Sequence, residues 1–160
     1  MTSDKYCKSC GVVKASTEFY THTTSRDRLR HECKECTKRN SREWQQRNPK
    51  RCWAKDTIKN HRTNGVKVST TISELTELAL DTTYCPICGV ELCFGKKEEG
   101  KILTCSPSLD RIDRSKPMTR DNIQILCYAC NSGKSVGSLA EYIARCKRIA
   151  KKYDIGDDIK

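Results

Sequence analysis

Eight of the chain's twelve cysteines stand in four C-x2-C pairs: Cys7 with Cys10, Cys33 with Cys36, Cys85 with Cys88, and Cys127 with Cys130. Two thiolates at i and i+3 on a tight turn reach one ion, and a second such pair completes a tetrahedron. Gly11 follows Cys10, where such a turn needs a permissive backbone. The first two pairs are 22 residues apart and the last two 38, so the spacing predicts two four-thiolate zinc centres. Sites closed in this way leave no open position, and the metal acts by holding the chain rigid. A disulfide framework is the other use of so many cysteines, but no charged-then-apolar leader precedes them. A reducing, cytoplasmic setting is expected instead. His31, beside Cys33, is the alternative ligand in the first centre. Cys52, Cys93, Cys105 and Cys146 fall outside the pairs and are expected to be small buried hydrophobes.

A second set of residues lies in PSLDRIDRSKPMTRDNIQILCYACNSGK, residues 107–134. Asp110 and Asn131 offer hard oxygen ligands of the kind that suit Mg²⁺ or Mn²⁺. Arg111 can grip a phosphate oxygen in a planar fork. Phosphodiester hydrolysis needs charge neutralised on the phosphate, an attacking water and a stabilised leaving oxygen. No histidine follows His61, so a base is missing; Tyr128 and Tyr142 are the nearest in sequence. The plain alternative is that Asp110, Arg111 and Asp113 form an ordinary salt-bridge cluster at a strand edge.

Local patterns show what must position these groups. SLDRID reads as a strand, RSKPMTRDN as a polar turn and Asn122–Leu126 as a second strand, with a helix starting near Cys127. Ser25–Arg30 reads as a hairpin tip between the first two cysteine pairs, with Phe19 and Tyr20 as a small aromatic core. Asn48-Pro49 breaks a basic helical stretch, with Pro49 suited to start a second helix. Thr71 or Ser73 caps a scaffold helix that runs to Leu80. Ser138 and Glu141 form a capping box for an amphipathic helix over 139–153. Residues 98–101 read as a loop tip and 154–160 as an acidic tail.

The fold class expected is a small zinc-stabilised α+β chain. Its parts are a four-cysteine module over 1–40, a basic helical linker over 41–65, a second zinc-bearing domain over 66–153 and a tail. The net charge of +11 is uneven: residues 1–68 carry +10 and residues 69–160 carry +1. Two zinc ions on eight thiolates would bring the total to about +7. Such a basic half suits a polyanion, and Arg42, Lys50, Arg51 and Lys55 lie at helical spacing to track phosphates. The bland alternative is a solvated basic face. No apolar run is long enough to span a membrane.

Two strands, then a C-x2-C-N at a helix start, with an acid on the first strand: residues 107–134 resemble the ββα-metal finger of HNH endonucleases. The four cysteine pairs, SLDRID and N-I-Q-I-L-C-x2-C-N together resemble phage-type HNH enzymes with an N-terminal four-cysteine module. The C-terminal half is also similar to phage recombination endonucleases. The likeness covers most of residues 5–150. It implies a DNA endonuclease with two structural zinc ions and one catalytic Mg²⁺ or Mn²⁺, needing no small-molecule cofactor. By position, Asp110 would be the metal-binding acid, Asn122 the residue that orients the finger and Asn131 the last metal ligand. Arg111 stands where the family has its general-base histidine, as in some restriction enzymes of this fold, and a guanidinium cannot accept a proton from water. DNA is the implied partner, and a homodimer is compatible with the likeness. The other function compatible with these residues is a zinc-dependent DNA-binding protein, a regulator or packaging factor, that cuts nothing.

Overall fold

Thiols do much of the work of a core in this chain. Its architecture is that of a small α+β protein, seen in a computed structural model that describes residues 4–96, 101–135 and 137–154. The predicted loop tip at residues 98–100 and the tail from 155 lie outside the described residues. The chain divides into two compact units, one ending at Pro49 and one beginning at Lys50.

In the first unit, β1 (Asp4–Tyr6) pairs antiparallel with β2 (Val13–Ala15), and the two clasp the turn that holds Cys7 and Cys10. A second hairpin follows, β3 (Phe19–Thr21) with β4 (Leu29–Cys33), with Phe19 opposite Cys33. The predicted hairpin tip at 25–30 falls in and just beyond its turn. Helix α1 (Lys34–Arg47) begins directly after Cys33. The buried core here is Phe19 with Cys7, Cys33 and Cys36, packed by Leu29. Tyr20, expected beside Phe19 in the core, is instead exposed. One phenylalanine is little to offset the ordering of nearly fifty residues, and an ion on the four thiols would make up the difference; structural zinc contributes about 10–16 kcal/mol in small fingers.

The second unit repeats this plan and adds helices to it. Helix α2 (Pro49–Thr63) starts at the proline, as predicted, and α3 (Ile72–Asp81) is capped by Thr71 in a reciprocal box with Glu74. Ala54 and Ile58 of α2 pack with Leu75, Leu109 and Ile123. The basic stretch over 41–65 is thus not a free-standing linker: α1 lies in the first unit and all but the first residue of α2 in the second. Trp53 packs against both buried clusters of this unit and donates its indole N–H to the Pro107 carbonyl at 2.9 Å. Strand β5 (Pro107–Arg111) pairs antiparallel with β6 (Ile123–Cys127), and α4 (Tyr128–Lys134) leaves directly from Cys127. The expected second strand begins one residue late, because Asn122 ends a short 3₁₀ turn. Helix α5 (Leu139–Lys152) has the predicted Ser138–Glu141 box, yet none of its residues is buried and Ile149 is 49% exposed.

The repetition is detailed. Tyr6-Cys7-x2-Cys10-Gly11-Val12 and Tyr84-Cys85-x2-Cys88-Gly89-Val90 have one pattern. Each turn closes with a bond from the glycine N–H to the first cysteine's carbonyl, at 2.9 and 2.8 Å. Gly11 and Gly89 sit at φ 71° and 74°, a backbone that a side chain would strain. Tyr6 pairs with Val13, and Tyr84 with Glu91, at equal offsets. Cys33 and Cys127 each cap a helix, opposite Phe19 and Pro107 respectively.

The leftover cysteines depart from expectation. Cys93 and Cys105 are not separate hydrophobes but a disulfide with Cα atoms 5.5 Å apart. Cys146 is exposed and Cys52 half-buried. Spacing alone could not show that the backbone brings residues 93 and 105 together, through the Cys93 N–H bonded to the Cys105 carbonyl at 3.1 Å.

Because thiols replace apolar side chains in the first core, Cys7→Ser should unfold that unit while the second keeps its metal. Zinc content should fall from about two per chain to about one. Loss of both ions, or a wild-type protein with one, would contradict independent centres.

Candidate functional site

Cys7, Cys10, Cys33 and Cys36 bring their sulfurs within 4.8 Å of one another, and so do Cys85, Cys88, Cys127 and Cys130. The sulfurs of Cys88 and Cys127 are 3.7 Å apart. A zinc tetrahedron with Zn–S bonds of about 2.3 Å has edges of about 3.8 Å, so the donor set fits that ion. The backbone prepares one thiolate in each tetrad, whereas burial pushes Cys127 and Cys130 up. Burial pushes the Cys7 thiol up, but N–H groups of Cys33, Cys10 and Ser9 outweigh it and bring the group down to about 6. Cys85 is treated alike: burial raises it, and N–H groups of Cys127, Cys88 and Ile87 bring it to about 7. Arg39 adds a cation 3.6 Å from the Cys36 sulfur. His31 is exposed and stands outside the tetrad. Both tetrads can hold metal ions such as zinc.

The finger of β5, β6 and α4, with the turn between its strands, carries Asp110, Asn122 and Asn131, each with hydrogen-bond partners of its own, and Arg111 next to Asp110. Asn122 is buried and clasps the turn between the strands. Its oxygen accepts the Asp113 N–H at 2.8 Å, and its amide donates to the carbonyls of Asp113 at 2.8 Å and Pro117 at 2.9 Å. Asn131, in the first turn of α4, donates to the Ser108 hydroxyl at 2.7 Å and ties helix to strand. Arg111 donates to the Lys116 carbonyl at 3.3 Å, while its Nε is buried without a partner.

Asp110 has a partner that sequence reasoning missed. Lys134 donates to both carboxylate oxygens at 2.9 Å, and Gln124 adds a bond at 2.8 Å. The side chains of Lys134 and Asp110 are 3% and 8% exposed, so this is a buried ion pair. As arranged, Asp110 does not fit a hard divalent ion: its charge is already met by an ammonium, and an ion there requires Lys134 to leave. The sequence signal was available, since Asn131 and Lys134 stand at i and i+3 on one helix and Gln124 faces Asp110 across the hairpin.

Of the two tyrosines nearest in sequence, one is held as a phenol and the other is open to solvent. Burial, then the nearby Cys130 thiol, pushes Tyr142 up to about 12. Tyr128 is 39% exposed at the head of α4.

The predicted phosphate-tracking residues divide. Arg42, Arg51 and Lys55 are exposed, whereas Lys50 donates to the Leu80 carbonyl at 3.4 Å and lies 5.1 Å from the Phe94 ring centre. No helix among the described residues is long and apolar enough to cross a membrane.

No protein-family model matches the chain, and no curated protein matches it. Among solved structures, the chain is similar to PacI. That protein is described as a rare-cutting HNH restriction endonuclease with an extraordinary mechanism of DNA perturbation. The two are 19% identical over 94% of this chain and 96% of that one, with a TM-score of 0.47.

The buried pair makes a stability prediction. Asp110→Asn or Lys134→Met should each lower the unfolding free energy by roughly 3–5 kcal/mol, because each strands a buried charge. The double variant should lose less than the sum, as read from urea melts of zinc-loaded protein. In the absence of DNA, Mn²⁺ titrated by electron paramagnetic resonance should bind Lys134→Met at a site that the wild type lacks and the double variant loses. Strict additivity, or an Asp110-dependent Mn²⁺ site in the wild type, would show that the pair does not close in solution.

Proposed function

We propose that the chain is a DNA endonuclease whose finger of β5, β6 and α4 hydrolyses phosphodiester bonds. The observation that carries this reading is Arg111, with a buried Nε that has no partner, next to Asp110 on the finger that carries Asn122 and Asn131. A guanidinium with unspent donors is a receptor for a phosphate oxygen, and its planar fork fixes that oxygen in two directions. Asn122 would hold the turn, and Asn131 would keep the helix against the strand. Lys134 would neutralise Asp110, so that a phosphate meets no uncompensated carboxylate. No group of the finger is assigned as proton acceptor, and no step is assigned to a divalent ion. The excess positive charge before residue 69 would supply affinity for the DNA backbone, through Arg42, Arg51 and Lys55 with Lys50 as a lesser contributor.

A second reading has an observation of its own. With both Asp110 oxygens bonded to Lys134, the finger is closed, as in a DNA-binding protein that cuts nothing. Plasmid nicking by zinc-loaded protein supplied with Mg²⁺ or Mn²⁺ separates the two. Nicking that is lost in an Arg111→Ala protein of wild-type zinc content and melting carries the first reading; binding without nicking under every metal carries the second.

If the protein nicks, Arg111→Lys and Arg111→Ala should lose about 10²–10³ in rate, the usual cost of one stabilising donor. Arg111→His should stay low too, because an imidazole cannot offer the two parallel donors of a guanidinium. An Arg111→Ala protein that nicks at the wild-type rate would make this arginine a structural partner of the Lys116 carbonyl and remove it from the site.

A further inference from the structure

The duplicated plan gives the first unit a counterpart of the finger, with its charge reversed. Three residues before the helix-capping cysteine stands Gln124 in the second unit and Arg30 in the first. One residue beyond the strand position opposite that cysteine stands Ser108 in the second and Tyr20 in the first. Directly after the last cysteine stands Asn131 in the second and Thr37 in the first. In the second unit these places surround Asp110. In the first, the strand register shifts after Phe19, no acid takes that place, and a groove of about 600 Å³ opens instead.

Tyr20, Arg30, Thr37, Lys38, Ser41 and Arg42 line this groove. Thr37, Lys38, Ser41 and Arg42 are at i, i+1, i+4 and i+5, so one face of α1 forms a wall. The cations of α1 differ in what they do. Lys34 bonds the Thr17 carbonyl and Arg39 the Cys36 sulfur. Among the described residues, Arg30, Lys38 and Arg42 make no close ion pair and no side-chain hydrogen bond, although Lys38 lies near enough to Glu35 to favour its ionised form. Thr37 Oγ1 is buried without a partner, at the position where Asn131 donates to Ser108. A buried hydroxyl left unbonded costs free energy unless something in the groove bonds it.

We infer that this groove binds a phosphate of the nucleic-acid backbone, with Arg30, Lys38 and Arg42 around it and the Thr37 hydroxyl donating to it. The two units would thus share one scaffold with two uses: the second built around a neutralised carboxylate, the first a cationic cradle. The ligand class rests on the nucleic-acid part of the proposed function and not on cutting.

The test is fluorescence anisotropy of the full, zinc-loaded chain with a short labelled DNA duplex over a range of salt. Replacing Arg30, Lys38 and Arg42 together by glutamine should lower the slope of log affinity against log salt by about 0.9, the value of the one phosphate contact the groove makes. Zinc content should stay at the wild-type value, which shows that the unit remains folded. Thr37→Val, which keeps the charge, should weaken binding about ten-fold, the worth of one hydrogen bond to a charged group. Replacing Lys147, Arg148 and Lys151 on α5 by glutamine removes equal charge and should change the slope less. A wild-type slope in the triple variant, a wild-type affinity in Thr37→Val, or an equal loss in the α5 control overturns the inference. A protein that never nicks but shows the expected losses would sink the endonuclease reading and leave the groove standing.

Discussion

Everything in this chain depends on thiolates gathered at the start of a helix. Cys33 and Cys127 are each the last residue of a strand and the cap of the helix that follows, so one side chain ends one element and begins the next. Their sulfurs accept the N–H groups of Cys36 and Cys130, which otherwise lack intrahelical partners. The sulfur satisfies the first turn of the helix, and an ion bound there would hold it as the thiolate. An ion at that junction would fix the angle between hairpin and helix, and with it the side chains carried on either.

The consequence for the second unit is that a seven-residue helix holds a fixed position without a large core beneath it. Helix α4 is too short to persist alone in water. It is held at its first residue by the cysteines, in its first turn by Asn131 on Ser108, and at its end by Lys134 on Asp110. The candidate chemistry therefore sits on an element located by polar bonds, whose strength rises as water is excluded. The cost falls on specificity of partners: a buried ammonium and a buried carboxylate tolerate only each other.

Much of this was legible in the sequence. The cysteine spacings gave both tetrads, Asn48-Pro49 gave the break between α1 and α2, and the capping boxes gave the starts of α3 and α5, because each is a short-range rule. The repeat Y-C-x2-C-G-V was also in plain view, and it announces two copies of one turn. What was not legible depends on contacts far apart in the chain. Lys134 meets Asp110 across 24 residues, and Cys93 meets Cys105 across a loop whose length carries no directional signal. Tyr20 was misplaced because a strand of three residues puts neighbours on opposite faces, and only Phe19 could turn inward. The apolar stripe of α5 was read correctly as a stripe, but amphipathicity states only that a face exists, not what covers it.

The Asn122 clasp bears on how the finger meets a ligand. Three hydrogen bonds at one side-chain amide, one accepted and two donated, hold the turn that carries Arg114 and Lys116 before anything arrives. A loop already frozen surrenders no further conformational freedom on contact, so whatever charge those residues contribute is delivered at full value. The same stiffness limits accommodation: the rim cannot remould itself around a misfitting surface, and the incoming molecule must do the bending.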